Sequence, residues 1–309
     1  MNIGIVGAGK MGFTLGKHLA VNKDKLKNKV CIGTDRISYD LIGYYSKSND
    51  SARKAADFTN SKCFKSLNEL VKMCDTLFIT VPDNQISLVV ETLRELRCDL
   101  SGKIICHTSG ACSSEVFFGL GSLVYGYSVH PIYAVNSKTD SYKKFSDSFI
   151  TIEGSYEKIN NIVALFDFLG HKTKVITKQD KPKYHCSAVF ASNLIVGVFK
   201  IAIRLLEECG FDENEALTAL IPLFYNNANN IVNNGCKKSL TGPIERCDET
   251  TVLKHLDTLS GREREVYRLI SQELIDIAIE KHMLEKNIDK NIENEKYIEL
   301  HEILMKDCK

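Results

Sequence analysis

The residues that could do chemistry fall in a few short stretches. Residues 1–16 read MNIGIVGAGKMGFTLG, in which an apolar strand, Ile3 to Val6, runs into Gly7-Ala8-Gly9-Lys10-Met11-Gly12. G-x-G-x-x-G between a strand and a helix is the spacing of a dinucleotide-binding turn. The first glycine permits the tight turn, the second lets a pyrophosphate approach the backbone, and the third lets helix and strand pack closely. The helix N-terminus then offers free N–H groups and a partial positive charge to the phosphates. The plain alternative is a glycine-rich structural turn.

The end of the second strand decides which dinucleotide such a turn holds. An acidic residue there accepts the ribose hydroxyls of NAD, whereas a basic one accommodates the phosphate of NADP. Asp35 lies 23 residues after Gly12 and points to NAD. Two strands are open in 22–50, Lys29–Gly33 and Leu41–Tyr45. The second is preferred, because SKSNDSARKAADF follows it as a turn and a helix. The ribose then meets Ser46, Lys47 and Ser48, whose hydroxyls and ammonium suit a phosphate. NADP is therefore the expected cofactor, with NAD as the alternative.

Ligands of open α/β sheets cross the carboxyl ends of the strands. Val81-Pro82-Asp83 ends one strand and HTSG, with Ser109, ends the next, so both belong to the cofactor rim. His130, in SVHPIY, precedes a proline that holds it out of helix geometry, so it can project from a strand end. In KPKYHCSAVFASN (181–193), His185 and Ser192 share a face of a single helix, with Asn193 beside them. A polar stripe on an apolar helix needs partners, which a substrate can supply. Thr241-Gly242-Pro243 is a tight turn, and Asp248 or Thr250 can cap the next helix. His18, His255, His282 and His301 read as helix-surface residues. No H-x-x-x-H pair suggests a metal, and no G-x-S-x-G a serine hydrolase.

These groups need elements to position them. Strands are expected at Ile3–Val6, Thr76–Val81, Lys103–His107, Leu123–His130, Phe149–Glu153 and Lys174–Ile176, with helices at Met11–Val21 and Ser66–Lys72. That alternation predicts a parallel sheet wrapped by helices. After Asp180 the pattern is helical, over Lys183–Cys209, Glu213–Asn234, Thr250–Leu259 and Arg262–Lys281. The expected fold is α/β, a Rossmann-type parallel sheet domain over 1–180 followed by an all-α domain over 181–309.

Composition narrows the classes. The 309 residues are 44% hydrophobic and carry a net charge of +1, so no global field draws in nucleic acid or an acidic membrane. Eleven scattered cysteines without a C-x-x-C pair fit reduced thiols in a cytoplasmic setting. The N-terminus has no basic stretch before a long apolar run, hence no expected signal peptide. The apolar run 188–206 is interrupted by Ser192, Asn193, Lys200 and Arg204, and reads as a helix buried inside protein. The tail from Lys286 reads as a solvated terminal helix.

With these motifs assembled, the chain resembles the bacterial Rossmann-plus-helical oxidoreductases whose C-terminal domain is of unknown function, relatives of pyrroline-5-carboxylate reductase. GAGKMG (7–12), YYSKSNDSA (44–52), VPD (81–83), HTSG (107–110), HPIY (130–133), KYHCSAVFASN (183–193) and LTGPIERCD (240–248) fall in that family's order. Cys247 stands where the family usually has glycine, and the segment around 23–40 is longer than usual. The resemblance implies an NADP-binding first domain, a helical second domain that usually dimerises, and a site in the cleft between them. In the more distantly similar prephenate dehydrogenases, an HP motif carries a catalytic histidine, which supports His130 by analogy.

The expected activity is NADP-dependent hydride transfer to or from a carbonyl or imine carbon of a small molecule. His130 or His185 would handle the coupled proton. Lys181 or Lys183 would bind a carboxylate or assist that transfer, and Ser192 and Asn193 would orient the substrate. The rival readings are a non-catalytic NADP-binding sensor or assembly protein, and a reductase using a deazaflavin coenzyme.

Overall fold

A computed structural model describes residues 1–23, 38–96, 98–285 and 290–305. The candidate strand Lys29–Gly33 and Asp35 lie outside these residues. The chain divides into two compact units, Met1–Ala191 and Ser192–Lys309. The first therefore extends past the boundary expected at 180 and takes in the helix that carries Lys181 and His185.

The first unit runs β1 (Asn2–Val6), α1 (Lys10–Asn22), β2 (Asp40–Tyr45), α2 (Asn49–Thr59), β3 (Lys62–Cys63), α3 (Leu67–Met73), β4 (Thr76–Ile79), α4 (Asp83–Glu95), β5 (Ile104–His107), β6 (Tyr125–Ile132), β7 (Phe149–Gly154), α5 (Ile159–Phe168), β8 (Lys172–Val175) and α6 (Lys181–Phe190). The strands form one eight-stranded sheet in the order β3-β2-β1-β4-β5-β6-β7-β8. Pairing is parallel from β3 to β6, so β2 is the Asp40–Tyr45 strand next to β1. The expectation of a parallel sheet fails at one place: β7 runs antiparallel to β6. The link between them forms no crossover helix. It packs the 3₁₀ turn Ser141–Asp147 down instead, burying Phe145 edge-on to His18 of α1.

Both faces of the sheet are covered, as parallel sheets require. Ile3, Ile5, Phe78 and Cys106 face α1, α2 and α5, while Val6, Leu77, Ile79 and Ile105 face α3 and α4. His18 is not a surface residue: its Nε2 lies 3.2 Å from Nε2 of His171, and both rings are buried.

The second unit contains α7 (Asn193–Glu208), α8 (Glu213–Ser239), α9 (Glu249–Thr258), α10 (Gly261–Glu285) and α11 (Lys290–Met305). Its core joins Leu240, Ile244, Val252, Leu256, Ile275 and Ala278 to Tyr297, Leu300 and Leu304. The tail helix α11 thus supplies core residues rather than a purely solvated face. Asp212 caps α8 with a full capping box, worth about 1 kcal/mol.

Two readings of 181–209 need correction. The segment is not one helix: Ser192 leaves helical geometry (φ −136, ψ −80) between α6 and α7. Serine and asparagine compete for nearby backbone groups and favour helix ends. Nor is the apolar run buried. The span 181–208 is long and apolar enough by composition to cross a membrane, yet only 6% of its most apolar window is buried.

Helix α1 approaches β2 through glycine. The Tyr44 hydroxyl donates to the Gly12 carbonyl at 3.2 Å, and an ideal Cβ on Gly16 would lie 1.6 Å from that oxygen. Overpacking of this kind costs about 1–3 kcal/mol. Gly16→Ala is expected to lower urea-denaturation stability by that amount. Gly16→Ala combined with Tyr44→Phe, which removes the nearest atom, should lose less than the sum of the two single changes.

Candidate functional site

At the end of β1 the chain turns through Gly7, whose φ of 104° suits glycine, and a Cβ there would lie 2.9 Å from Val81 Cγ1. Its N–H donates to the Tyr45 carbonyl at 2.8 Å. Thr80, just past β4, donates its hydroxyl to the Gly7 carbonyl at 2.9 Å. A Cβ on Gly12 would sit 2.2 Å from that same carbonyl. Gly7 and Gly12 therefore build the close turn, whereas Gly9 leaves space. Among the described residues the nearest atom to its ideal Cβ is the Thr80 carbonyl oxygen at 4.0 Å.

Lys10, Met11 and Gly12 form the first turn of α1, which has no side-chain cap and no acidic residue. Free N–H groups, the positive end of a 13-residue helix and an open Gly9 fit a pyrophosphate. Ser46, Lys47 and Ser48 leave the end of β2 beside this turn, with Lys47 exposed. The Ser48 hydroxyl accepts from Ser51 N–H at 3.3 Å and so caps α2.

On the neighbouring strands, Pro82 precedes α4 and Asp83 opens it. Asp83 Oδ2 accepts the Ser109 hydroxyl at 2.7 Å. Ser109 Oγ also accepts from the N–H groups of Ala111 and Cys112, at 3.2 and 3.0 Å. The Ser109 side chain thus shapes the loop after β5. Its own N–H donates to Nδ1 of the fully buried His107, whose Nε2 lies 3.2 Å from the Ser113 carbonyl. Nδ1 accepts, so Nε2 carries the proton. Burial lowers the His107 pKa to about 4.

A cluster of candidate residues lies beside this loop. His130 Nδ1 is 2.7 Å from the Tyr184 hydroxyl. The His130 and His185 rings stand 5.8 Å apart, nearly perpendicular. Gly110 lies against both: an ideal Cβ there would be 2.4 Å from His185 Nδ1 and 2.9 Å from His130 Nε2. His185 Nδ1 is buried and has no hydrogen-bond partner among the described residues. Burial first, then the charge of Lys181, lowers the His130 pKa to about 4. His130 is therefore a neutral imidazole at pH 7.

Lys181 is 1% exposed, and its ammonium donates to the Ser109 carbonyl at 3.0 Å and to the Ser128 hydroxyl at 2.6 Å. Its ammonium therefore ties the start of α6 to the loop after β5 and to β6. Lys183 is exposed.

His130, Lys181 and His185 are brought together on one unit. Ser192 and Asn193 begin the second unit, where the Ser192 hydroxyl donates to Asn193 Oδ1 at 3.1 Å. The helix break removes the shared helical face expected for His185 and Ser192. Asp248, not Thr250, caps α9, accepting from Thr251 N–H at 3.1 Å. Cys247 holds a left-handed φ of 52°, a conformation that glycine adopts without strain. Sequence reasoning missed Tyr184, Ser128 and Gly110. Tyr184 was findable, since it sits three residues after Lys181, on the same helix face.

Residues 1–131 match the Rossmann-like domain family, and residues 148–274 match the Domain of unknown function (DUF2520). No curated protein sequence matches the chain. Solved structures share the fold. A Thermotoga maritima protein is 25% identical, covering 89% of this chain and 98% of its own, with a TM-score of 0.67. A Bacteroides fragilis protein described as an NADP oxidoreductase is 20% identical with the same coverage and a TM-score of 0.64. The pyrroline carboxylate reductase of Plasmodium falciparum, solved with NADP bound, is 13% identical over 91% of this chain and 96% of its own, with a TM-score of 0.55.

Burial lowers three histidines, His107, His130 and His171, and each makes folding pH-dependent in the same direction. The unfolded chain protonates His107 and His130 near pH 6.5 and the folded one only near 4. Between those values the unfolded state binds more protons, so stability is present above about 6.5 and lost as pH falls toward 4. Urea denaturation across that window should show the loss, and His130→Asn should flatten part of it.

Proposed function

We propose that this chain is an NADP-dependent oxidoreductase that moves a hydride between the nicotinamide and a carbonyl or imine carbon of a small substrate. The carrying observation is the His130–Tyr184 hydrogen bond at the same sheet edge as the open Gly9 turn. The fold shared with reductases, one of them solved with NADP, supports the reading. Gly9 and the N–H groups of Lys10, Met11 and Gly12 would hold the pyrophosphate. Ser46 and Lys47 would meet the adenosine-side phosphate. Lys47 gives the preference for NADP over NAD. Val81, Pro82 and Asp83 would border the cofactor farther along the rim. The bound cofactor supplies the hydride.

The protein's own residues handle the proton. Neutral His130 is a poor general acid. With its Nδ1–H donated to the Tyr184 oxygen, the phenol proton is left free to reach the substrate oxygen or nitrogen. His185 Nδ1 can accept a hydrogen bond from substrate. Ser192 and Asn193 enter only as candidate substrate contacts.

NADPH oxidation should be followed with a panel of keto acids and cyclic imines. Tyr184→Phe and His130→Ala should each lower kcat by about 10²–10⁴-fold, the usual worth of a positioned proton donor, with NADPH Kd unchanged. Lys47→Ala should weaken NADPH binding and spare NADH. Failure of NADPH to bind in titration would sink the reading.

The protein is also proposed to be a cytoplasmic homodimer through the helical unit. Val196, Val198, Leu223, Phe224, Tyr225 and Val232 are exposed apolar residues on α7 and α8, more than a monomer's surface normally carries. Lys200 and Arg204, which would burden a membrane span, pair with Glu213 and Glu263 at 3.2 and 2.6 Å. Light scattering should give twice the chain mass, and Val196→Lys should shift it toward the monomer.

A further inference from the structure

We propose that Lys181 is the positioning residue of the His130–Tyr184 pair: its ammonium pins the first turn of α6 to Ser109 and Ser128, and so holds Tyr184 and His185 against His130. The inference rests on the reading above for its catalytic consequence, and on geometry for everything else.

Three elements meet at this one nitrogen. Lys181 opens α6, the Ser109 carbonyl belongs to the loop after β5, and Ser128 lies in β6, on the same strand face as His130. The Ser128 hydroxyl also donates to the Ser109 carbonyl, at 3.1 Å, which closes a triangle. Tyr184 and His185 follow Lys181 by three and four residues, so they project from the same side of α6. Fixing Lys181 therefore fixes both rings. The Ser109 carbonyl leads directly into Gly110, against which His130 and His185 pack. The loop is held from its other side by the Asp83–Ser109 bond.

A solvent-exposed lysine would do none of this. Ordering a buried lysine costs rotamer freedom, and desolvation adds to that. Among the described residues no carboxylate lies within 4.0 Å of its ammonium; it answers to backbone and hydroxyl oxygens. Burial lowers its pKa, while Glu153 of β7, Cys112 of the loop and Asp83 of α4 oppose the shift. Its charge faces His130 and His107, and it lowers both. The groups around His130 are thus Lys181, Tyr184 and His185 from α6, Asp83 from α4 and His107 from β5.

The test is histidine-selective NMR on the full chain, labelled at the imidazole Cε1, with His130→Asn assigning the signal. In the unaltered protein His130 should titrate near pH 4. Lys181→Met keeps the side-chain length and removes the charge, so the midpoint should rise by roughly one pH unit. Lys181→Arg, which keeps the charge, should stay closer to the unaltered protein. A folded Lys181→Met variant with an unmoved midpoint overturns the proposal. If circular dichroism shows that variant unfolded, Ser128→Ala carries the test. It removes one acceptor, and the His130 and His185 signals should both move. Signals unchanged there overturn the proposal too. None of these readouts needs NADPH or substrate, so a chain that shows the shifts but binds no NADPH loses the oxidoreductase reading and keeps the positioning role.

Discussion

A buried parallel ladder admits no water to replace a missing partner, and that constraint orders the first unit. From β3 to β6 the strands run one way, with β1, β4 and β5 buried on both faces. An unmatched backbone group in such a place costs about 1–3 kcal/mol. Every strand must therefore end where something else can take over its hydrogen bonds. Because the strands are parallel, their carboxyl ends share one edge, and Gly7, Ser46, Thr80 and Thr108 all leave the sheet there. The candidate site sits at that edge because the ladder stops there.

Side chains take over where the ladder stops, and they divide by what remains after that duty. Thr80 spends its hydroxyl on the Val6 and Gly7 carbonyls. Ser109 spends its own on Asp83, Ala111 and Cys112. His107 is bonded to backbone at both nitrogens. Thr80 and Ser109 have thus committed their hydroxyl protons within the protein, and His107 has both ring nitrogens paired. His130 differs. Burial depresses it as much as His107, yet its Nδ1 meets a phenol, a group that can itself give up a proton. Two histidines lowered to the same value thus have different partners, backbone for His107 and a phenol for His130.

Much of the fold could be read in the residues because local signals agreed with one another. The Ile3–Val6 strand, the glycine turn and the alternation through Glu153 all followed from periodicity and turn chemistry. The β6–β7 reversal did not, because a link of that length permits either direction; in the fold that link docks Phe145 against α1. The buried His18–His171 contact joins residues far apart in sequence, and a histidine on an amphipathic helix carries no mark of its partner. The break at Ser192 lay within a run whose apolar periodicity continues on both sides. Periodicity reports which residues want burial; it does not report where the backbone stops being helical.

The candidate site was legible by residue type and less so by role. His130 was marked by its place before a proline at a strand end, His185 by a polar stripe on an apolar helix and Lys181 by opening that same stretch, and the fold gathers all three. Their roles turned on quantities that no spacing contains. Lys181 reads as a group to bind a carboxylate or assist proton transfer, and its burial shows the same ammonium tied to Ser109 and Ser128. His130 reads as an acid–base histidine until desolvation and a neighbouring positive charge are counted, and then it is neutral at working pH. That neutrality shifts attention to Tyr184, a residue that sequence reasoning passes over because tyrosine in a helix is so often packing. An unperturbed phenol holds its proton to about pH 10, and burial pushes the Tyr184 phenol further up. Its proton is therefore in place at any working pH, and the proposed proton transfer would need a hydrogen bond to stabilise the oxygen once the proton has gone. In this protein His130 Nδ1, at 2.7 Å, is in position to do so, and the Thr151 hydroxyl also favours the ionised phenol.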